Sequence, residues 1–261
     1  MSLEKVIRYI NSKVEGHDVT VGQMYGTENF CHLLYSLVKM EQPDTIIELG
    51  VGAGATTCMM AQAVKENNKG SVFAIDNGEQ WKEMKTPLQK ILGESLPDES
   101  YENFLNKLLE KLELEKYVHF KNITLTNKQF FDPKKPVDLL FFDAHDSGPL
   151  GCISLLHYYL PKMNKYSSIF IDRASTIHHA YLVLEQIIKH FQNKEIPECL
   201  LSELDDKEIK NLRQIVSTSK FTLIHLTETG KAKINKTQNS TAWIKIEPID
   251  LYHHNHVETF V

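Results

Sequence analysis

Short runs of apolar residues alternate along the chain with longer stretches in which apolar residues recur at helical spacing. The short runs are rich in β-branched and aromatic side chains and lie at 45–49, 71–75, 117–121, 136–143 and 168–172. The helical stripes lie between and around them, at 27–40, 56–65, 104–112, 149–160 and 177–191. Continuous apolar strands are typical of parallel sheets buried on both faces, and strands that alternate with helices predict a doubly wound α/β fold.

The C-terminal part of the pattern differs from the rest. Residues 221–226 and 241–246 alternate in character and flank a polar loop at 227–240 without helical spacing. This predicts a β-hairpin, so one of its strands runs antiparallel to its neighbour. Residues 79–100 lack a regular pattern, and we interpret them as an insertion over one edge of the sheet. Residues 202–217 are interpreted as a further helix or a covering loop.

Together these elements predict one domain over residues 1–261. A helical cover at 1–40 precedes a doubly wound core at 41–248, and a tail at 249–261 follows it. The expected sheet has seven strands, is mostly parallel, carries helices on both faces and closes with an antiparallel C-terminal hairpin.

Composition narrows the classes of function. The 261 residues are 42% hydrophobic and 24% charged, with a formal net charge of -5, which is typical of a soluble globular protein. An acidic chain is not expected to bind nucleic acid or an anionic membrane through bulk electrostatics. The four cysteines stand singly, without the spacing of a zinc site or a disulfide framework, and no apolar window is long enough to span a membrane. We expect a cytoplasmic protein.

The turn after the first strand is rich in glycine. Residues 48–54 read ELGVGAG, and glycines at alternate positions let the backbone turn tightly and present N–H groups to a ligand at the start of the next helix. Asp76 ends the second strand, 22 residues beyond Gly54. A carboxylate at that position can accept hydrogen bonds from ribose hydroxyls, whereas the alternative is a solvent-exposed helix cap. The arrangement indicates a nucleoside site.

The spacing of the glycines separates two classes of nucleoside ligand. Dinucleotide-binding turns use G-x-G-x-x-G, whose third glycine lets the helix pack close to a pyrophosphate. Here the spacing is G-x-G-x-G and Glu48 precedes it. An acid there repels a pyrophosphate but can pair with an ammonium group, so the turn favours a ligand with an ammonium and no phosphate.

The motif E-L-G-x-G-x-G, followed by an acid at the end of the second strand, resembles the class I S-adenosylmethionine-dependent methyltransferases over about residues 20–247. The resemblance implies a Rossmann-like methyltransferase fold, in which the last strand inserts antiparallel between its neighbours. It implies S-adenosylmethionine as the cofactor, with Glu48 supporting either the turn or the amino group. The cofactor-binding residues that it implies are Glu48, Gly50, Gly52, Gly54, Thr56, Asp76, Asn77, Asn122, Ile123, Thr124, Asp143 and His145.

Within that class, the chain resembles the small-molecule O-methyltransferases of the catechol O-methyltransferase type and a related bacterial group. The residues that carry this resemblance are Asp143 and His145 after the fourth strand and Asp172 after the fifth. In metal-dependent members, acids at the positions of Asp143 and Asp172 bind a divalent cation such as Mg²⁺. This sequence departs from that pattern because Arg173 occupies the third ligand's position, and a guanidinium cannot ligate a metal.

Asp143 and His145 are the candidate catalytic residues. His145 can take a proton from an acceptor hydroxyl as the methyl group is transferred, or it can stack on the adenine. Both roles stay open.

The sequence thus predicts an S-adenosylmethionine-dependent methyltransferase that acts on a hydroxyl of a small molecule, with an amine as the second option. Neither nucleic acid nor a membrane is an expected partner, and a homodimer is left as an option. One alternative is a nicotinamide-dependent oxidoreductase with a Rossmann fold, which the glycine spacing disfavours. The other is a non-catalytic S-adenosylmethionine-binding module, which Arg173 keeps open.

Overall fold

The computed structural model describes residues 2–16, 18–24, 28–92, 100–126, 128–144, 148–175, 177–227 and 240–252. The helices are α1 (Ser2–Ile10), α2 (Glu28–Glu41), α3 (Ala55–Asn67), α4 (Trp81–Leu92), α5 (Tyr101–Leu112), α6 (Pro149–Tyr159), α7 (His178–Gln192) and α8 (Asp206–Thr218). The strands are β1 (Thr45–Leu49), β2 (Ser71–Asp76), β3 (Val118–Asn122), β4 (Val137–Phe142), β5 (Met163–Asp172), β6 (Ser219–Thr227) and β7 (Ser240–Pro248). Short 3₁₀ helices lie at Leu160–Lys162, Glu198–Leu200 and Ile249–Tyr252.

The strands form one seven-stranded sheet in the order β3-β2-β1-β4-β5-β7-β6. The first five pair in parallel, whereas β7 runs antiparallel to both β5 and β6. The predicted fold class is therefore confirmed, including the C-terminal hairpin. Strand order reverses between β1 and β4, which is the place where open α/β sheets bind ligands.

Hydrophobic packing covers both faces of the sheet. On one face, α1, α2, α3 and α5 bury a cluster that includes Tyr9, Leu34 and Phe104. On the other, α6, α7 and α8 bury a second cluster that includes Leu156 and Phe191. Every residue of β1 is buried, Glu48 included, as expected for a central parallel strand. The two clusters fix the strand ends that carry the candidate site.

Two of the predicted elements change in the structure. The prediction of an irregular insertion at 79–100 is wrong for residues 81–92, which form helix α4. Trp81 at its start is buried, with its ring centroid 4.6 Å from that of Phe104. This tertiary contact overrides a local sequence in which Pro87 indicated a break. Residues 93–99 of the insertion lie outside the described residues.

The open choice at 202–217 resolves as helix α8. Asp205 caps it and accepts a hydrogen bond from the backbone N–H of Glu208, whose side chain accepts one in return from the N–H of Asp205. This reciprocal capping box gives the polar segment a defined start. Most of the predicted hairpin loop and tail, at 228–239 and 253–261, lies outside the described residues.

No helix within the described ranges combines the length and hydropathy that crossing a membrane requires. All four cysteines carry free thiols, and only Cys199 is exposed.

Candidate active site

A cleft of about 510 Å³ opens at the carboxyl edge of the sheet, where strand order reverses. Loops that follow β1, β2, β3, β4 and β5 contribute its walls. Its lining residues are Gly50, Val51, Gly52, Ala53, Ala55, Thr56, Asp76, Asn77, Glu79, Gln80, Ile123, Thr124, Leu125, Asp143, Ala144, Asp172 and Arg173. A volume of this size suits a cofactor and a small co-substrate.

The glycine turn packs directly on the end of β4. Gly50 has a φ of 91°, and a Cβ built at this position would lie 2.2 Å from the backbone oxygen of Asp143. Only glycine fits both the left-handed backbone and this contact. Gly54 also has a positive φ and precedes α3, but a Cβ there would face Leu105 and Leu108 of α5. Gly54 therefore serves packing behind the turn.

Glu48 lies beneath the turn and is fully buried. Its carboxylate oxygens accept hydrogen bonds from the hydroxyls of Thr56 and Thr57, at the start of α3. Burial is the largest cause that raises the pKa of Glu48, to about 8, and the two hydroxyl bonds oppose it. Of the two roles that the resemblance left open, the observed contacts of Glu48 are those of turn support.

Asp76 holds the turn from the other side. Its Oδ2 accepts hydrogen bonds from the backbone N–H groups of Val51 at 2.8 Å and Gly52 at 3.2 Å, and its Oδ1 accepts one from Gly78 at 2.7 Å. A carboxylate offers about four acceptor positions. These three bonds leave Oδ1 with capacity for a ligand hydroxyl, so the ribose-binding role of Asp76 stays a prediction.

Two tyrosines outside the motif also fix the turn. The hydroxyl of Tyr9 in α1 donates to the carbonyl of Ala53 at 2.5 Å, and that of Tyr101 in α5 donates to the carbonyl of Gly52 at 2.9 Å. Both contacts are far from the turn in sequence, so no local signal could reveal them. The turn is thus held by Glu48, by Asp76 and by two helices before any ligand binds.

The ends of β4 and β5 bring Asp143, Asp172 and Arg173 together. The carboxyl groups of Asp143 and Asp172 lie close enough together to influence each other's pKa. Burial, the largest cause, and mutual repulsion raise the pKa of Asp172, and burial raises that of Asp143. The guanidinium of Arg173 places Nε 3.3 Å from Asp172 Oδ2, and its Nη2 donates to the carbonyl of Ala144 at 3.4 Å.

These residues do not fit a divalent cation. The predicted ligands Asp143 and Asp172 are close together, but the guanidinium of Arg173 fills the third position, with its Nε 3.3 Å from Asp172 Oδ2. A cation needs deprotonated oxygen ligands and would be repelled by Arg173. In the part of the chain that the structure describes, no three His, Cys, Asp or Glu side chains converge on a point that could hold a metal.

The predicted cofactor residues divide into four groups. Those that line the cleft are Gly50, Gly52, Thr56, Asp76, Asn77, Ile123, Thr124 and Asp143. Glu48 and Gly54 are buried behind the turn, and Asn122 is exposed and does not line the cleft. His145, the other catalytic candidate, lies outside the described residues. What each of these residues binds stays a prediction.

Sequence reasoning missed several lining residues. Glu79 and Gln80 lie in the loop between β2 and α4, and Leu125 and Ala144 follow β3 and β4. Their place just beyond the strand ends is the signal that could have identified them, because all parallel strands end at the same edge of the sheet.

Comparison with known proteins identifies the segment that carries this site. Residues 47–174 match the sequence model of a family described as a methyltransferase domain. The matched segment includes the glycine turn, Asp76, Asp143 and Asp172. No curated protein sequence matches the chain at a significant level.

Solved structures of low sequence identity are similar to this chain, and the Klebsiella pneumoniae structure, with a TM-score of 0.50, shares its fold. A Klebsiella pneumoniae protein described as a candidate O-methyltransferase is 15% identical, with a TM-score of 0.50 over 94% of this chain and 90% of that one. An O-methyltransferase from Bacillus cereus, in complex with SAH, is 14% identical, with a TM-score of 0.49 over 94% and 90%. The O-methyltransferase TomG from Streptomyces achromogenes, in complex with SAM, is 13% identical, with a TM-score of 0.47 over 94% and 89%. At such identities the likeness concerns the fold alone.

The family match falls on the residues from which the resemblance was drawn, and the sheet has the predicted seven strands, with β7 inserted antiparallel between β5 and β6. Residues 47–174 thus carry a methyltransferase domain, as the resemblance implied.

Proposed function

We propose that this methyltransferase transfers a methyl group from S-adenosylmethionine to a hydroxyl group of a small molecule. The observation that carries the proposal is the cleft at the reversal of strand order, which joins a rigid glycine turn to an acid pair. The cofactor, when bound, supplies a methyl group on a positively charged sulfur. The chain's own residues have to bind it, orient the acceptor and receive the acceptor's proton.

The turn and the ends of β2 and β3 are proposed as the cofactor half of the cleft. Gly50 and Gly52 bring bare backbone to the cleft wall, where the methionine part can approach closely. The remaining acceptor capacity of Asp76 suits a ribose hydroxyl. Ile123 and Thr124 line the cleft after β3 and are proposed to flank the adenine.

The ends of β4 and β5 are proposed as the acceptor half. Asp143 is half-buried in the cleft wall, and burial raises its pKa toward neutrality. A carboxylate tuned in this way can take the proton of an acceptor hydroxyl as the methyl group is transferred. Placing the hydroxyl in line with the sulfur is the larger contribution to rate.

The charge of the cleft supports a small acceptor over a nucleic acid. Among the described lining residues, the acids Asp76, Glu79, Asp143 and Asp172 outnumber the one cation, Arg173. A lining with this balance gives no positive surface for phosphates. We further propose a cytoplasmic enzyme that works as a single domain, in keeping with its free thiols. The optional homodimer is testable by sedimentation.

Calorimetric titration with S-adenosylhomocysteine tests the proposal. We expect micromolar binding, followed by formation of S-adenosylhomocysteine from S-adenosylmethionine with at least one member of a panel of phenols, catechols and aliphatic alcohols. Binding of a reduced nicotinamide cofactor in place of S-adenosylhomocysteine would contradict the proposal. Binding without turnover on an extended panel that includes amines would contradict the catalytic part.

A further inference from the structure

The feature that calls for explanation is Arg173, a cation placed beside the half-buried Asp143 and the buried Asp172, where the resemblance implied a metal ligand. Asp172 is 4% exposed, and its Oδ2 lies 3.3 Å from Nε of Arg173. The same guanidinium reaches the carbonyl of Ala144, in the loop that follows β4. Arg173 therefore contacts the ends of both β4 and β5.

This bridging is one task that a divalent cation performs. A metal ion held by acids from two strand ends ties the strands together and places positive charge at the cleft wall. Arg173 likewise links the two strand ends and places positive charge at the cleft wall. Its charge is permanent at any pH at which the protein is folded.

We propose that Arg173 replaces the divalent cation in this cleft as a positioning residue, and that the enzyme needs no metal to hold its acceptor half together. The inference rests on the proposed function, because the acceptor half is defined by it. It goes beyond that function in assigning a role to Arg173 and in excluding metal ions from the chemistry.

The backbone conformation of Arg173 allows a substitution that tests this proposal. Its φ of 59° lies in the left-handed region, which aspartate and asparagine tolerate better than other residues with a Cβ. Arg173→Asp therefore adds a third carboxylate without new backbone strain. Arg173→Lys is the matched control, since it keeps the positive charge and gives up the forked guanidinium.

The experiment titrates each protein with Mn²⁺ and follows the electron paramagnetic resonance signal of the free ion. We expect wild type and Arg173→Lys to leave the signal unchanged. Arg173→Asp should bind Mn²⁺ at least about tenfold more tightly than wild type, and adding Asp143→Asn to it should abolish that binding. A change in packing alone would not create such a site.

Three results would overturn the proposal. They are binding of Mn²⁺ by wild type that Asp172→Asn abolishes, binding by Arg173→Lys equal to that of Arg173→Asp, and absence of binding by Arg173→Asp when its thermal unfolding is cooperative. Titration of the same samples with S-adenosylhomocysteine keeps the two proposals apart. Failure of wild type to bind it would refute the proposed function, whereas normal binding with a native Mn²⁺ site would refute only the role of Arg173.

Discussion

The two halves of the cleft are built in different ways. In the cofactor half, Asp76 and Glu48 accept hydrogen bonds from backbone N–H groups and hydroxyls within the same βαβ unit. In the acceptor half, Arg173 pairs with Asp172 after β5 and donates to the carbonyl of Ala144 after β4, about thirty residues away in sequence. Asp143 lies beside this pair. The first half depends on backbone geometry and the second on the balance of charge.

This difference predicts which substitutions should disrupt each half of the cleft. The cofactor half should be disrupted when a side chain is added to a glycine or when a hydrogen-bond acceptor is removed. It should be insensitive to salt concentration. A set of charged side chains fails when one charge is changed, even if the volume is kept. Substitutions matched in size or in backbone conformation can therefore separate the two constructions.

The largest effect is expected from Gly50→Ala. Its Cβ would meet the Asp143 carbonyl at 2.2 Å in a left-handed backbone, and backbone cannot give way as a side chain can. We expect the free energy of unfolding in urea to fall by about 2 to 5 kcal/mol.

Gly16→Ala is the matched control, because Gly16 also has a positive φ, of 79°, but open space around its Cβ. It should cost only about 1 kcal/mol. Equal losses for the two variants would show that the contact between the turn and β4 does not constrain the cleft.

A smaller effect concerns Glu48 and pH. Because burial raises its pKa from 4.5 to about 8, the folded state keeps a proton that the unfolded state loses between those pH values. The free energy of unfolding should therefore fall as pH rises through this window. Relative to Glu48→Gln, which carries no titrating group, wild type should lose about 1 to 3 kcal/mol between about pH 5 and about pH 8. Parallel urea-unfolding curves at every pH would contradict the buried position of this carboxylate.

The smallest expected effect is on cofactor affinity, and it tests whether Asp76 contacts the ligand or only supports the turn. Asp76→Asn should weaken S-adenosylhomocysteine binding by about tenfold in calorimetry, because the amide offers one acceptor atom where the carboxylate offered two. Asp138 is a matched control at the opposite edge of the sheet, since its Oδ2 also accepts two backbone N–H bonds, from Asp44 and Thr45. Asp138→Asn should leave the affinity unchanged. If both variants bind alike, Asp76 acts on the turn and not on the ligand.

The sequence predicted the fold well because its signals are local. Apolar runs such as 45–49 and 136–143 identify central strands, and alternation at 221–226 and 241–246 identifies the hairpin. Helix α4 was missed because it depends on the contact of Trp81 with Phe104, which no local pattern encodes.

The site shows the same division. The turn and Asp76 could be found because they lie within one motif, and the family match covers them. The buttressing by Tyr9 and Tyr101 could not be found, because it joins distant helices to the turn. The sequence shows that Arg173 departs from the pattern of a metal site, and the structure adds its contact with the carbonyl of Ala144. On that contact we base its proposed role.

The central claim is that the two halves of one cleft bring cofactor and acceptor together. A crystal structure of the chain with S-adenosylhomocysteine tests this most directly. We predict ribose hydroxyls within hydrogen-bond distance of Asp76, adenine beside Ile123 and Thr124, and the sulfur facing the side of the cleft that holds Asp143. Ligand density outside this cleft, or a ribose turned away from Asp76, would contradict it.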